Sequence, residues 1–316
     1  MRGRVMAAMS GGVDSSVAAH ILRSDGYDCT GVTMKLFDNE DIGADSDGLC
    51  CSARDAEDAR RVSFALGFPH FVFNLSLEFA ARVVGRFISE YEAGRTPNPC
   101  IDCNRYIKFE ELLLRARQTG HDFIATGHYA RANHDAASGR FLLKKGTDAA
   151  KDQSYVLYAM TQEQLSRTLF PLGDMTKAEV REIAASLGLV NAQKKESQDI
   201  CFAPDGDYAR FIERRTGRVC EPGNFIDETG AVLGTHRGII RYTIGQRRRL
   251  GLQCGGLYVC GKDAARNTVT LGNEKSLLVK ELTADGVNLI SCESLTAPTR
   301  VMARGRYRQP EQRATA

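Results

Sequence analysis

No apolar run in the chain approaches the ~18 residues that a membrane-spanning helix needs, which excludes an α-helical membrane protein as the reading. The N-terminal MRGRVMAAMS holds only about five apolar residues before a glycine turn, too few for the core of a secretory signal. Low-complexity tracts and long internal repeats are missing, which argues against disordered and solenoid architectures. Charge of either sign is scarce in the balance: 42 Lys and Arg against 39 Asp and Glu leave +3. Bulk charge therefore does not announce a nucleic-acid binder. Two nucleotide-binding fingerprints are absent as well: the chain has no G-x-x-x-x-G-K-[ST] loop, and its first glycine turn is not G-x-G-x-x-G. The expectation is a folded, cytoplasmic, non-membrane protein.

What is present is an alternation. Val5–Met9, TGVTMKLF, HFVFNL and DFIATGH read as strands. Between them, helical spacing is expected over Asp14–Ser24, Ser52–Leu66, a stripe from Phe79 to Tyr91, and Lys108–Gln118. Strands alternating with helices predict an α/β fold: a parallel sheet covered on both faces. Thr176 with Glu179 has the form of a capping box opening a helix that ends near Gly188. After about residue 200, glycine and β-branched residues rise. FIDETGAVLG reads as a hairpin, and GLYVCGKD, NTVTLGN and GVNLIS as short strands. With 316 residues, more than one core is expected. The division predicted is a nucleotide-binding domain over 1–197, a small β-rich linking domain over 198–256, and a β-barrel-like domain over 257–316.

MSGGVDSS follows the first strand and enters the first helix. A glycine turn in that position is a phosphate site, because backbone N–H groups and the helix dipole both point at the anion. Gly11 and Gly12 permit close backbone approach, and Ser10 and Ser15 can donate to phosphate oxygens. Asp14 is anomalous beside phosphate, so it is expected either to cap the helix or to hold Mg²⁺. The string resembles the PP-loop of the ATP pyrophosphatases, which split ATP between the α- and β-phosphates and adenylate a carbonyl oxygen.

Ten cysteines in a cytosolic chain point to metal, catalysis or packing rather than to a disulfide framework. Cys29, Cys260 and Cys292 lie in apolar surroundings and read as small core residues. GRTPNPCIDCNRYIKF is different: Cys100 and Cys103 stand at C-x-x-C spacing behind two prolines, a rigid loop in this reading, and a distant Cys201 lies in KKESQDICF. Two chemistries remain open, a redox pair that carries and releases sulfur, or a metal site of Cys100, Cys103 and Cys201 holding zinc or an iron–sulfur cluster. Local basic runs, RGIIRYTIGQRRRLGL and RVMARGRYRQ, suit phosphates.

Together MSGGVDSS, GRTPNPCIDCNR, ATGHYAR, KDQSYVLY, FPLGDMTKAEVR, ESQDICF, YTIGQRRRLG and RYRQ resemble the bacterial tRNA-specific 2-thiouridylases over nearly the whole chain. That family exchanges the C2 oxygen of the wobble uridine for sulfur. The resemblance implies that Ala8, Met9, Ser10, Gly11, Gly12, Val13, Asp14, Ser15, Met34 and Gly127 contact ATP, with Mg²⁺. It implies that Asn98, Pro99 and Cys100 face the target base, that Cys103 is the nucleophile and that Cys201 carries the persulfide, the two pairing as a disulfide in the cycle. His128, Lys151, Asp152, Gln153, Arg306 and Tyr307 would touch tRNA. A cysteine desulfurase or sulfur-relay protein would supply the persulfide sulfur. Lys108 and Arg105 are expected to keep the thiols in a positive environment. Some members carry an aspartate with an acid/base role where this chain has Cys100, so here that role falls to the thiol or to Asp102. The family's last barrel continues beyond RYRQ, which implies a shortened barrel here. Other classes weighed are a PP-loop amidating synthetase, an iron–sulfur-dependent tRNA thiolase and a non-enzymatic RNA-binding module.

Overall fold

The computed structural model describes residues 2–38, 53–194, 200–252, 256–307 and 309–316. The expected division at 197/198 and Ser52, the expected start of the second helix, lie outside them.

Five parallel strands form the first sheet in the order β3-β2-β1-β4-β7: β1 Arg4–Ala8, β2 Asp28–Lys35, β3 His70–Asn74, β4 Phe123–Ala125 and β7 Thr168–Leu169. Alternation along β1 explains why both faces are covered. Val5 and Ala7 join a core with α1 (Val13–Ser24), α2 (Ala53–Ala65) and, later in the chain, the helix Lys177–Ser186. Met6 points the other way, into a core with Val32, Met34, Phe79, Phe87 and Leu112. β1 pairs with β2 on one side and β4 on the other. Successive connections therefore leave β1 in opposite directions, and a crevice opens at the carboxyl ends of β1 and β4.

Two long helices cover the second face. The first, α3, runs continuously through Ser76–Phe79, Ala80–Val84 and Gly85–Glu92, with its middle segment in π geometry. The second, α4, runs through Pro99–Asp102, Cys103–Glu111 and Leu112–Gln118, again with a π segment. Here the sequence expectation needs correction. A rigid loop was expected through the prolines and a helix only from Lys108. Instead Pro99 occupies the first helical position, where its missing N–H is no loss. Asn98 caps that turn, its side-chain oxygen accepting from Cys100 N at 3.1 Å.

β5 (Ala130–Asp135) and β6 (Arg140–Lys145) form the hairpin before KDQSYVLY. After the short α5 (Gln162–Ser166), α6 (Lys177–Ser186) begins at the expected capping box, with both reciprocal bonds of Thr176 and Glu179 formed. α7 (Tyr208–Thr216) was not expected in a region that reads as β-rich. Asp207 caps it and left-handed Gly217 ends it, while Ala209, Phe211 and Ile212 supply its buried face. A four-stranded sheet follows in the order β10-β11-β8-β9, from β8 Gly223–Ile226, β9 Val232–His236, β10 Tyr258–Asp263 and β11 Thr268–Gly272. The β8–β9 hairpin is the expected one, its turn held by Asp227 Oδ1 accepting from Thr229 N and Ala231 N at 2.8 and 2.9 Å. β8 pairs in parallel with β11, so one sheet takes strands from both sides of the division expected at 256/257.

Beyond Gly272, the described residues contain one antiparallel pair, β12 (Arg300–Ala303) with β13 (Gln312–Thr315), rather than a closed barrel. GVNLIS is not a strand. Its Leu289 and Ile290 carbonyls accept from the Arg140 guanidinium instead, at 3.2 and 2.9 Å. The first sheet's second core runs on without a break into the β-rich unit. Phe87 lies 5.2 Å from Phe202 and 6.4 Å from Phe211, ring centre to ring centre. Among the described residues, no helix is long and apolar enough to cross a membrane.

Candidate active site

The glycine loop joins β1 to α1 at the crevice. Gly12 stands at the N-cap position, so the first N–H groups of α1 have no partner within the helix and face the crevice end. The loop's carbonyls are turned away by partners behind it. Met9 O accepts from Thr33 Oγ1 at 2.7 Å. Gly11 O accepts from Asn191 Nδ2 at 3.0 Å and from Lys194 Nζ at 3.2 Å. Gly12 O accepts from Ser15 Oγ and Ser16 Oγ at 3.1 and 3.0 Å. Two glycines are forced by contact: a Cβ on Gly11, which has φ +69°, would lie 2.3 Å from Asp55 O, and one on Gly127 would lie 2.8 Å from Ser15 N.

Asp14 does not cap the helix. Its Oδ1 accepts from Tyr129 OH at 2.8 Å, and Lys177 Nζ donates to both oxygens at 2.7 and 2.9 Å. Of the two expected roles, capping is therefore excluded. Lys177, Tyr129, Asn191 and Lys194 are the residues that sequence reasoning missed. Lys177 had one local signal, its place directly after the capping Thr176, but nothing in the sequence says that this helix start abuts the glycine loop.

A cleft of about 350 Å³ opens at the carboxyl ends of the strands. Ala8, Met9, Ser10, Asp14, Ser15 and Met34 line one part, with Gly127 and His128 at the end of β4. Pro99, Cys100 and Cys103 line another, with Lys108; Cys201 closes it, and Gln153 also reaches it. Cys100 is exposed, whereas Cys103 and Cys201 are half-buried. The thiols and the glycine loop, far apart in sequence, thus share one cavity. Gly11, Gly12 and Val13 form the turn behind the lining, and Asn98 acts as a cap. Arg105 and Asp102 are not among the lining residues. Arg105 lies over the Tyr106 ring, and Asp102 is buried with Arg86 at 3.5 Å. Burial holds the Asp102 carboxyl above its usual range against the pull of Arg86 and Arg105.

His128 is enclosed by Phe109 and Phe170, its Nδ1 2.7 Å from Thr126 Oγ1. Burial, reinforced by Lys108, holds its imidazole well below the ordinary value, so at neutral pH it meets the cleft as an uncharged ring. Apart from Gln153, which reaches the cleft, the other residues expected to meet tRNA gather outside it. Tyr307 OH donates to Asp152 O at 3.3 Å and its ring lies 5.7 Å from that of Tyr155. Arg306 donates to Ile244 O at 2.6 Å, tying this corner to the arginine-rich segment. The Asp152 carboxylate serves its own loop, accepting from Gly146 N and Ser154 N at 3.1 Å. Lys151 is half-buried beside it. A second cavity, of about 640 Å³, is lined by Arg237, Arg241, Arg248 and Arg249 together with Tyr91 and Tyr208. Arg241 is held there by Glu213, at 2.7 Å.

Cys29 is a core residue as expected, its thiol pushed up to about 11 by burial, while Cys260 and Cys292 are only half-buried. Among the described residues, no three His, Cys, Asp or Glu side chains come together as a metal-ligand set. Cys100, Cys103 and Cys201 line one cleft but are not gathered as such a set in this structure. Mg²⁺ is a different case, since it is commonly held by one or two carboxylates plus substrate phosphates, and Asp14 at the phosphate loop supplies that donor type.

Residues 3–205 match the family described as tRNA methyl transferase HUP domain, and residues 209–273 the tRNA methyl transferase PRC-barrel domain. The chain is 48% identical over 308 residues to a protein of Clostridioides difficile named tRNA-specific 2-thiouridylase, covering 97% of this chain and 85% of that one. Proteins of the same name from Lachnoclostridium phytofermentans and Heliobacterium modesticaldum are 49% and 50% identical. They are matched over 99% and 97% of this chain and 88% and 80% of their own lengths.

Proposed function

The chain belongs to the tRNA-specific 2-thiouridylase family, and from that premise we propose how its cleft makes 2-thiouridine. It is an ATP-binding sulfurtransferase that acts on tRNA. The family descriptions speak of methyl transfer and the relatives' names of thiolation; a glycine loop and thiols in one cavity support the second.

The C2 carbonyl of uracil is a poor electrophile and its oxygen a poor leaving group. In this reading ATP binds with its phosphates on the N–H groups of Gly11 to Ser15, and its purine end extends along Ala8, Met34 and Gly127. The C2 oxygen of the wobble uridine attacks the α-phosphate, and pyrophosphate departs while still held by the loop. Asp14 would hold Mg²⁺, which offsets phosphate charge when bound. Asn98, Pro99 and Cys100 face the base, which leaves the anticodon stack to enter the cleft. The terminal sulfur of a Cys201 persulfide attacks C2, and AMP leaves with the former carbonyl oxygen. The Cys103 thiolate then attacks Cys201 Sγ. The sulfur–sulfur bond of the persulfide breaks, its terminal sulfur stays on the base, and a Cys103–Cys201 disulfide forms. Lys108 provides positive charge near these anions. Lys151, Asp152, Arg306 and Tyr307 form the outer tRNA contact, with Gln153 and the neutral His128 as contacts inside. The sulfur comes from a persulfide donor such as a cysteine desulfurase or relay protein. The chain divides into a catalytic unit to about 205, a central unit over 209–273, and the remainder.

The observation that carries this reading is the shared cavity of glycine loop, Cys103 and Cys201. The test is mass spectrometry of tRNA nucleosides after reaction with ATP and a persulfide source. Cys103→Ser and Cys201→Ser are each expected to lose 2-thiouridine and retain tRNA-dependent release of pyrophosphate. Thiolation by either variant at the parent's rate would end the paired-thiol mechanism.

A further inference from the structure

The mechanism uses two thiols, yet three line the cleft, and the third is the most accessible. We infer that Cys100 is a resolving cysteine: it attacks the Cys103–Cys201 disulfide left after each sulfur transfer and moves that disulfide onto the Cys100–Cys103 pair. The inference rests on the paired-thiol reading above and extends it by the step that resets the enzyme.

Placement supports it. Cys100 and Cys103 stand three residues apart at the start of one continuous helix, at successive turns of the same face. That spacing puts their Cβ atoms ~5–6 Å apart in a regular helix, against the ~3.5–4.5 Å of a disulfide, so a small local adjustment suffices. The helix grants it there: the first turn has no N–H ladder of its own, and from Cys103 onward the backbone is in π geometry. Cys201 comes from a distant segment and is fixed beside Phe202, which is 2% exposed in the aromatic core. Its disulfide with Cys103 would therefore tie two elements together in a half-buried position. The Cys100–Cys103 disulfide would join one turn of one helix and bring an exposed sulfur to the mouth of the cleft.

The step balances. The Cys100 thiol loses its proton, and its sulfur bonds to Cys103 Sγ. The Cys103–Cys201 bond breaks, and Cys201 leaves as a thiolate that takes up a proton. No net oxidation occurs, and Cys201 is ready for the next persulfide. A dithiol reductant of the thioredoxin class then gives two electrons to the exposed Cys100–Cys103 disulfide, returns both thiols and is itself oxidised.

The experiment is a single turnover of persulfide-loaded protein with ATP and tRNA, without reductant. It is quenched in acid, alkylated and mapped by peptide mass spectrometry. The parent is expected to end with Cys100 joined to Cys103 and Cys201 alkylated. In Cys100→Ser the expected disulfide is Cys103–Cys201. The linkage, rather than the rate, carries the result, because Cys100 also faces the base. In repeated turnover driven by thioredoxin and its reductase, Cys100→Ser is expected to slow ~10-fold or more, and excess dithiothreitol is expected to raise the variant's rate above its own thioredoxin-driven rate while leaving the parent's unchanged. A parent that keeps Cys103–Cys201 with Cys100 alkylated overturns the resolving role while leaving the paired-thiol mechanism standing. So does a Cys100→Ser variant that recycles with thioredoxin as fast as the parent. Formation of 2-thiouridine with no disulfide in either protein removes the paired-thiol mechanism itself.

Discussion

Asp14 carries the most weight of any single residue in the glycine loop because the fold holds its carboxylate and the proposed mechanism gives it the ligand's metal. Its carboxylate is held by Lys177 and Tyr129 from elements that follow it in the chain by more than a hundred residues. Lys177 is itself 9% exposed. Asp14→Ala therefore takes a carboxylate from a nearly buried ammonium, and a loss of ~1–3 kcal/mol in unfolding free energy is expected from denaturant titration. The same variant is expected to abolish ATP-dependent release of pyrophosphate while tRNA affinity stays within a few-fold, which filter binding and a pyrophosphate assay check side by side. His128 gives the site a pH signature. Its folded-state value lies well below the ordinary 6.5. Protons thus bind the unfolded chain more readily than the folded one as pH falls below about 6.5. Stability is at its full value above that pH and declines beneath it. Burial lowers His70, His121 and His236 as well, in the same sense. The unfolding midpoint is expected to drop between pH 7.5 and 5.5, with a shallower drop in His128→Asn; equal slopes in the two proteins would refute the assignment.

At the scale of elements, the helix from Pro99 to Gln118 sets the thiols' positions. Pro99 starts it, Asn98 caps it, and Cys100 and Cys103 ride on its first two turns. Asn98→Ala leaves the Cys100 N–H without its 3.1 Å acceptor, at a cost of ~1 kcal/mol. Amide exchange over 100–103 is expected to quicken, and thiolation to fall further than pyrophosphate release, because the loosened turn holds the thiols rather than the phosphates. Equal losses in both steps would show that the cap supports the cleft only in general. The capping box at Thr176 plays the corresponding part for Lys177, fixing the start of the helix that brings this residue to Asp14.

Across the whole molecule, the catalytic and β-rich units share one core through Phe87, Phe202 and Phe211, and Lys262 bridges them at the surface of that core. Its ammonium donates to Tyr242 O at 2.7 Å and lies over the Tyr91 ring, and burial lowers it to about 8. The arginine-lined cavity sits at this same junction. Arg248 and Arg249 are exposed there, whereas Arg241 is committed to Glu213. Substituting both Arg248 and Arg249 by alanine is expected to weaken tRNA binding at low salt and to reduce the slope of log K against log salt by about two, roughly one per lost phosphate contact. An unchanged slope would place the phosphate contacts elsewhere.

The sequence alone determined the parallel α/β sheet, the glycine turn between its first strand and helix, the Thr176 capping box and the Asp227 hairpin. Each of these follows from residues close together in the chain: alternating apolar positions, a turn that needs glycine, a cap and its partner three residues on. The family resemblance, carried by short strings of that kind, belongs to the same category. Where local signals competed, the sequence misled. Two prolines suggested a loop, although Pro99 fits a helix start, and the β-rich texture after residue 200 hid α7. Only the tertiary structure decided what meets what. Strand order, with β1 between β2 and β4, opens the crevice, and the cleft then gathers Ser10, Gly127, Cys103 and Cys201 from four segments. It pairs Asp14 with Lys177 rather than with its own helix end, buries His128 until it is neutral, and turns Asp102 toward Arg86 instead of the cleft. The physical reason is that charge pairing and burial depend on distances through space, and a pattern read along the chain contains only distances along the chain.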